Sequence, residues 1–443
     1  MKKNFFKGKK ITVMGLGLLG RGVGDIAFLA KEGADLVVTD LKTKKELAQS
    51  LKQLKRFKNI KYTFGKHDLK DFENRDFILK AAGVPIDSVY INHAKENGVP
   101  VYMSTALFAQ LSGVKVVGVT GTRGKTTVAY MLHQILKESY KGKKNKIFLG
   151  GNILGVATLP FLAKANKGDI AVLELDSWQL QGFGDLKISP QLAIFTTFMP
   201  DHLNYYKNNL RKYFEDKANI FKYQKSGDTF IAGSQLKKTK YQLPKRTRFV
   251  SESYLPRDLK LSVPGSHNRY NAAIALRSAR ALGVKNDLIF KSLQSFVGVP
   301  GRLEKIKTYK DVAIYNDTTA TTPHALVSAL QSFGNKKNII LIMGGSDKAI
   351  DLKILKIPLK KYCKKIILLP GTGTDRLLKE RIISLGLSVA KVSDFKTAIK
   401  HALSDSKKGD ILLLSPGFAS FGMFKNEYDR GDQFNRLVSQ FTK

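Results

Sequence analysis

The chain is poor in cysteine, in acidic residues and in long apolar runs, and each shortage removes a class of protein. A single cysteine, Cys363, excludes a disulfide framework, argues against cysteine-ligated zinc and suits a reducing, cytoplasmic setting. No apolar run approaches the roughly 20 residues that span a bilayer as a helix, so no membrane insertion is expected. The lysine-led start, MKKNFFKGKK, resembles a signal peptide, but the apolar run behind it is glycine-rich and is followed at once by Arg21. It reads as the first strand and turn of a folded domain. Only 36 Asp and Glu stand against 75 Lys and Arg, a net charge of +39. Such an excess can mark nucleic-acid binding. Here the lysines are spread through every segment, with small clusters at 141–146 and 237–240 and no aromatic-basic stripe. The excess reads as a lysine-rich surface that draws in anionic substrates, with no nucleic-acid partner expected.

What is present begins with size and balance. At 443 residues, 43% hydrophobic and 25% charged, the chain has the composition of a globular protein of two to four domains. Its organising stretch is VKVVGVTGTRGKTT at 114–127. A β-branched apolar run passes through Gly118, Gly121 and Gly124 and ends on Lys125, Thr126 and Thr127, ahead of the helical spacing of VAYMLHQIL. A strand feeding a glycine turn at a helix N-terminus presents backbone N–H groups and a positive dipole end to phosphate. Lys125 would reach the β- and γ-phosphates, and the Thr126 hydroxyl would ligate Mg²⁺. The usual spacing wants glycine where Val119 stands, and Gly118 lies one residue further back. The expected ligand is a nucleoside triphosphate.

Ahead of this stretch, KITVMGLG, a turn, the helical run 23–31 and ADLVVTD form a βαβ unit. Gly15, Gly17 and Gly20 make G-x-G-x-x-G, with Asp40 twenty residues after Gly20, placed for a ribose hydroxyl. Alone this suggests a dehydrogenase. Beside a separate triphosphate site, a nucleotide-sugar is an equal reading. The unit continues through DFILKAAGV and is expected to close near 104.

A second unit, 105–298, adds strand-like runs at KIFLGGN, DIAVLELD, QLAIFTTF, DTFIAG and TRFVS between helical stretches, which predicts a mostly parallel sheet. Glu174 ends one strand, His202 follows another, and Lys217 lies on a helix. A carboxylate and an imidazole at strand carboxyl ends suit Mg²⁺ shared with ATP oxygens. The third unit, 299–443, has four strand candidates, VAIYND, NIILIMGG, KIILLPG and ILLLSPG, with Asp317, Thr321, Lys348 and Ser415 near their ends. The fold class expected is α/β in three domains: a Rossmann-like N-terminal domain, a central P-loop ATPase domain and a Rossmann-like C-terminal domain.

These elements occur in an order that resembles the Mur ligases, the ATP-dependent amide-bond ligases of peptidoglycan precursor synthesis. The resemblance rests on TGTRGKTT at 120–127, GGN at 150–152, LELDSWQL at 173–180, PDHLNYY at 200–206, DKANIF at 216–221 and GSHNRYNAAIA at 265–275. It continues in GVPGRLE at 298–304, NDTTATTPHA at 316–325, GGSDKAID at 344–351 and LLLSPGFASFGMFKNEYDRGDQF at 412–434. The last two elements resemble the branch that adds D-glutamate to UDP-N-acetylmuramoyl-L-alanine. A sibling ligase with another amino acid or acceptor is the alternative.

The resemblance implies that ATP phosphorylates the substrate carboxylate and that an amine captures the acyl phosphate. It implies phosphate contacts from Gly121, Thr122, Arg123, Gly124, Lys125, Thr126 and Thr127, and adenine contacts from Asn268 and Asn271. Arg302 and Asp317 would reach ATP from the third domain, and Asn152 the acyl centre. Two Mg²⁺ ions are expected, held by Thr126, Glu174, His202 and Lys217, the last as a carbamate. Leu18, Leu19, Asp40 and Gly83 are expected at the UDP part, and Thr321, Lys348, Ser415 and Phe421 at D-glutamate. A monomer is expected, with domain closure. The sequence departs from the family at Arg123, usually Asn, at Thr319, usually Lys, and at Gly301, usually His. Further departures are Asp176, Trp178, Ala81, Ala82 and Ala106.

Overall fold

A computed structural model describes residues 4–18, 20–85, 87–202, 205–383 and 386–442. The chain forms two compact units, Met1–Arg257 with Tyr270–Ser292, and Asp258–Arg269 with Leu293–Lys443. Among the described residues the first unit carries two parallel sheets and the second carries one mixed sheet. Among the described residues no helix is long and apolar enough to cross a membrane.

The first sheet comprises β1 (Lys10–Met14), β2 (Asp35–Asp40), β3 (Ile60–Phe64), β4 (Phe77–Lys80) and β5 (Val101–Tyr102). Its order is β3-β2-β1-β4-β5, all parallel. The chain leaves β1 in one direction to β2 and returns on the other side as β4, so a crevice opens beyond the ends of β1 and β4. The sequence reading missed β3 and β5. Two-residue β5 is too short to show a period, and β3 buries only Ile60, with the adjacent Lys61 and Tyr62 both exposed, so it lacks the alternation that marks a strand.

The second sheet holds β6 (Lys115–Thr120), β7 (Ile147–Gly151), β8 (Ile170–Glu174), β9 (Leu192–Phe195), β10 (Thr229–Gly233) and β11 (Arg248–Val250). They stand in the order β11-β10-β9-β6-β8-β7 and are all parallel. Every residue of β8 and β9 is buried, as parallel strands covered on both faces require. A continuous apolar core runs from the first sheet to the second, where Phe108 meets Phe161 edge to face. Ala106 lies fully buried in that core, so the side chain that replaces the usual acid there serves packing.

In the second unit the sheet contains β12 (Glu304–Tyr309), β13 (Val312–Asn316), β14 (Ile339–Gly344), β15 (Cys363–Leu369), β16 (Ser388–Lys391) and β17 (Ile411–Leu414). The order is β12-β13-β17-β14-β15-β16, parallel except for β12. The four apolar runs named in the sequence are strands and form the middle of this sheet. The edges β12 and β16 were missed because they are polar and partly exposed, with little of the burial that makes a strand legible.

Candidate active site

The central strand β6 is flanked by β8 and β9, so its carboxyl end is a point where the chain diverges to both sides. There the backbone turns through Gly121 at φ +145° and Gly124 at φ +83°, and the helix Lys125–Ser139 begins. A side chain is barred at both glycines. A Cβ on Gly121 would lie 2.0 Å from Thr196 Oγ1, and one on Gly124 would lie 2.4 Å from Asn271 Oδ1. The loop is fastened to the segment after β9, since Thr122 N–H donates to Thr197 O at 2.7 Å and Arg123 N–H to Thr197 Oγ1 at 2.9 Å. The first-turn N–H groups of the helix have no intrahelical acceptor and face the loop's mouth, a site built for phosphate. Thr126 and Thr127 stand half-buried in that first turn, and Arg123 projects outward, exposed.

Lys217 comes to the same place from the helix Leu210–Lys222. It is 1% exposed, and its ammonium donates to Gly121 O at 3.0 Å and contacts Thr120 Oγ1 at 3.4 Å. Burial first, and the neighbouring Lys125 charge second, push its pKa well below the usual lysine value, against smaller pulls from Asp176, Asp201 and Asp216. Lys125 Nζ also donates to Gly121 O, at 3.0 Å, and to Thr122 O at 3.1 Å. Glu174, buried, closes β8, and its carbonyl accepts Asn152 N–H at 2.7 Å. His202 sits at φ +52° with its ring 4.8 Å from Trp178 and 6.3 Å from Tyr213. Burial lowers its pKa, against the pull of Asp201 and with the push of Lys125 and Lys217, which favours the neutral imidazole that can ligate a metal. Asp176 caps the helix Ser177–Asp185 by accepting from Gln179 N–H. Among the described residues no three His, Cys, Asp or Glu side chains gather into a ready metal cluster.

The front crevice is a cavity of about 220 Å³ lined by Gly15, Leu18, Arg21, Lys80, Gly83 and Gly151 among others. Leu18 and Gly83 both line this cavity, while Leu19 lies outside the described residues. Asp40 is buried, and its oxygens accept from the backbone N–H groups of Leu16, Gly17 and Lys42 at 2.9–3.1 Å. In this structure its carboxylate shapes the glycine loop.

In the second unit, Asp317, Lys348 and Ser415 follow β13, β14 and β17, which are neighbours in the sheet. Lys348 Nζ donates to Thr321 Oγ1 at 3.0 Å, so two of the expected amino-acid contacts meet. Ser415 is instead turned to Asp317, donating to Oδ2 at 2.8 Å, while Leu303 N–H donates to Oδ1 at 3.1 Å. Burial pushes the Asp317 pKa up to about 7, against these bonds and the charge of Arg302. Phe421 is 65% exposed, and its carbonyl accepts from Ser346 Oγ at 2.6 Å. Of the adenine pair, Asn271 lies against Gly124 in the first unit. Asn268 falls in the second unit and donates to Pro264 O at 2.7 Å.

The MurD-like N-terminal domain of the Mur ligases matches residues 9–103, the Mur ligase middle domain 119–251, and the Mur ligase glutamate ligase domain 301–418. The chain belongs to the Mur ligase family. UDP-N-acetylmuramoylalanine–D-glutamate ligase of Borreliella burgdorferi is 36% identical over 98% of this chain and 98% of its own length. The enzyme of that name from Roseiflexus is 33% identical over 98% and 99%. Among solved structures, UDP-N-acetylmuramate–alanine ligase MurC from Thermotoga maritima shares the fold, with a TM-score of 0.60 at 19% identity over 98% of this chain and 100% of its own.

Two arginines of this Mur ligase escaped the sequence reading. Arg430, in the RGDQF element, is fully buried and donates to Thr318 Oγ1, Thr318 O and Phe418 O at 3.1, 2.8 and 3.4 Å. Arg21 bridges the two sheets of the first unit by donating to Asn152 Oδ1 at 2.7 Å. Its position directly behind the third glycine of the fingerprint was the available signal. The bond to residue 152 had none.

Proposed function

We propose that this Mur ligase joins D-glutamate to UDP-N-acetylmuramoyl-L-alanine at the expense of ATP, in cytoplasmic peptidoglycan precursor synthesis. Relatives of that name, matched end to end at 33–36% identity, support the choice of substrates. The observation that carries the chemistry is the convergence of Lys125 and Lys217 on Gly121 O at the mouth of the phosphate loop.

A carboxylate repels nucleophiles by its own charge and has no leaving group. Transfer of the γ-phosphoryl group of ATP to a carboxylate oxygen removes the charge and releases ADP. The amine of D-glutamate then adds to the acyl carbon, loses a proton, and the tetrahedral adduct expels phosphate to leave the amide. Lys125 and the first-turn N–H groups hold the phosphates, where positive charge counts most as two anions approach. Asn152 presents its amide at the front of the site, and Asn271 backs the loop.

The donor chemistry fits Mg²⁺. Thr126 offers a hydroxyl, Glu174 a buried carboxylate and His202 a neutral imidazole. An ammonium cannot ligate, but an uncharged Lys217 amine can add to CO₂, releasing a proton and becoming an anionic carbamate. These four residues would hold two ions. When bound, Mg²⁺ supplies charge neutralisation at the transferring phosphoryl group. Arg302 and Asp317 would contact ATP, and Thr321, Lys348, Ser415 and Phe421 would contact D-glutamate.

The test is phosphate release from ATP with each substrate omitted in turn and a panel of amino acids in place of D-glutamate. Release that requires both UDP-N-acetylmuramoyl-L-alanine and D-glutamate is expected. Turnover only with another amino acid would assign the chain to a sibling reaction.

A further inference from the structure

The cavity between the two sheets of the first unit has a charge pattern of its own. Arg21 opens the helix Arg21–Lys31 directly after Gly20, and Lys80 closes β4 across from it; both line the cavity. Among the described residues, Arg21 makes no ion pair with a carboxylate. The nearest acid on its helix, Asp25, is buried, and it accepts from Leu159 N–H at 3.2 Å and from the Ser104 hydroxyl. Lys80 spends its ammonium on Gln181 Oε1 at 3.1 Å, a neutral partner. Gln181 does not line the cavity, so the Lys80 ammonium is already spent, and Arg21 is the lining cation left with no carboxylate partner among the described residues; the one acid there is already hydrogen-bonded.

Arg21 also orients its neighbour. A guanidinium only donates, so the Asn152 atom it meets at 2.7 Å is the amide oxygen, and the Asn152 NH₂ is turned to the other side as a donor. The Asn152 backbone is itself fixed to Glu174 O. One of the five guanidinium N–H donors is used in that bond, and the rest are available in a planar fork that matches phosphate oxygens.

Resting on the substrate assignment above, we infer that Arg21 is a binding residue for the diphosphate of the nucleotide-sugar. Its guanidinium takes phosphate oxygens in the front cavity while holding the Asn152 amide in register with the acyl centre. Uridine itself carries no anionic group to pair with this guanidinium.

The proposal is tested by calorimetry with UDP and with uridine on the full-length wild type, Arg21→Gln and Arg21→Lys. Wild type should bind UDP more tightly than uridine. Arg21→Gln should lose roughly 10- to 100-fold in UDP affinity, the worth of a charge-assisted contact, and keep its uridine affinity. Arg21→Lys should fall between. In turnover, the KM for UDP-N-acetylmuramoyl-L-alanine should rise in Arg21→Gln while those for ATP and D-glutamate hold. Equal losses for UDP and uridine would reduce Arg21 to a structural link, and unchanged UDP affinity would end the proposal. Failure of the substrate-omission assay overturns the reaction assigned above and leaves the UDP–uridine comparison standing.

Discussion

Lys125 and Lys217 share one acceptor, the carbonyl oxygen of Gly121, at 3.0 Å each. Two ammonium groups so placed lie no more than about 6 Å apart, where like charges repel by roughly 3 kcal/mol at an effective dielectric constant near 20. One carbonyl dipole does not offset that. Lys217 is 1% exposed, and its pKa is pushed well below the usual lysine value by burial and by the Lys125 charge. Arg123 adds a further exposed cation beside the same loop.

The first prediction follows from that imbalance. A buried amine whose pKa is pushed down gives up its proton more readily and can then add to CO₂, so active enzyme equilibrated with ¹³CO₂ should give a carbamate carbon signal assignable to Lys217. Lys217→Arg, permanently charged, should lose roughly 10²- to 10³-fold in kcat with its fold retained by circular dichroism. Active enzyme with no such signal would remove the carbamate role.

A second prediction concerns Gly124. Its φ of +83° and the 2.4 Å between a built Cβ and Asn271 Oδ1 leave Gly124→Ala two penalties, backbone strain and a steric conflict. The variant should lose ATP binding while uridine diphosphate still binds in the front cavity. Lys125→Ala should keep the loop and abolish acyl-phosphate formation, read by ADP release without D-glutamate. Full activity in either variant would refute the phosphate-loop assignment.

How far the sequence reached is clearest at these residues. The loop after β6 was legible because phosphate binding dictates glycines and a lysine at fixed spacing, a local constraint. The buried central strands were legible because runs such as IILIMG at 339–344 have nowhere to go but a covered sheet. Asp40 shows the limit. Its spacing from the glycines is that of a ribose ligand, and its oxygens also accept from three backbone N–H groups, contacts that the spacing does not announce. Ser415 is similar, since its hydroxyl is turned to Asp317, 98 residues away. Bonds across such separations leave no periodic trace. Arg430 and Arg21 were hidden for the same reason.

Arg430 carries the third prediction. Its guanidinium, fully buried and paired with no carboxylate among the described residues, ties Thr318 in the loop after β13 to Phe418 in the loop after β17. Burial lowers its pKa to about 10, so it remains charged. Arg430→Ala leaves two backbone carbonyls without donors and a void, at a cost on the order of 3 kcal/mol or more. Urea denaturation should show that loss. Because Thr321 and Phe421 lie on the same two loops, Arg430→Lys, which keeps the charge and loses the fork, should raise the KM for D-glutamate more than that for ATP. An unchanged D-glutamate KM in a folded Arg430→Lys protein would confine the residue to stability.

Asp25 gives the last prediction, on pH. Burial raises its carboxyl from 3.8 to about 7, against the bonds from Ser104 and Leu159 and the charge of Arg21. Between those two values the folded chain holds a proton that the unfolded chain releases. Stability from this group is therefore complete below about pH 4, falls as pH rises, and is gone above about pH 7. The span of about 3 pH units bounds the effect at about 4 kcal/mol. Asp25→Asn does not titrate and still offers an acceptor to Leu159 N–H. Its urea midpoint should follow pH less steeply than that of wild type between pH 5 and 7, with the two curves converging or crossing in the variant's favour by pH 8. Asp185 and Asp216, also raised by burial, contribute equally to both proteins, so the difference between the curves isolates Asp25. Parallel curves would mean that Asp25 is ionised throughout and that its burial is compensated by the contacts around it.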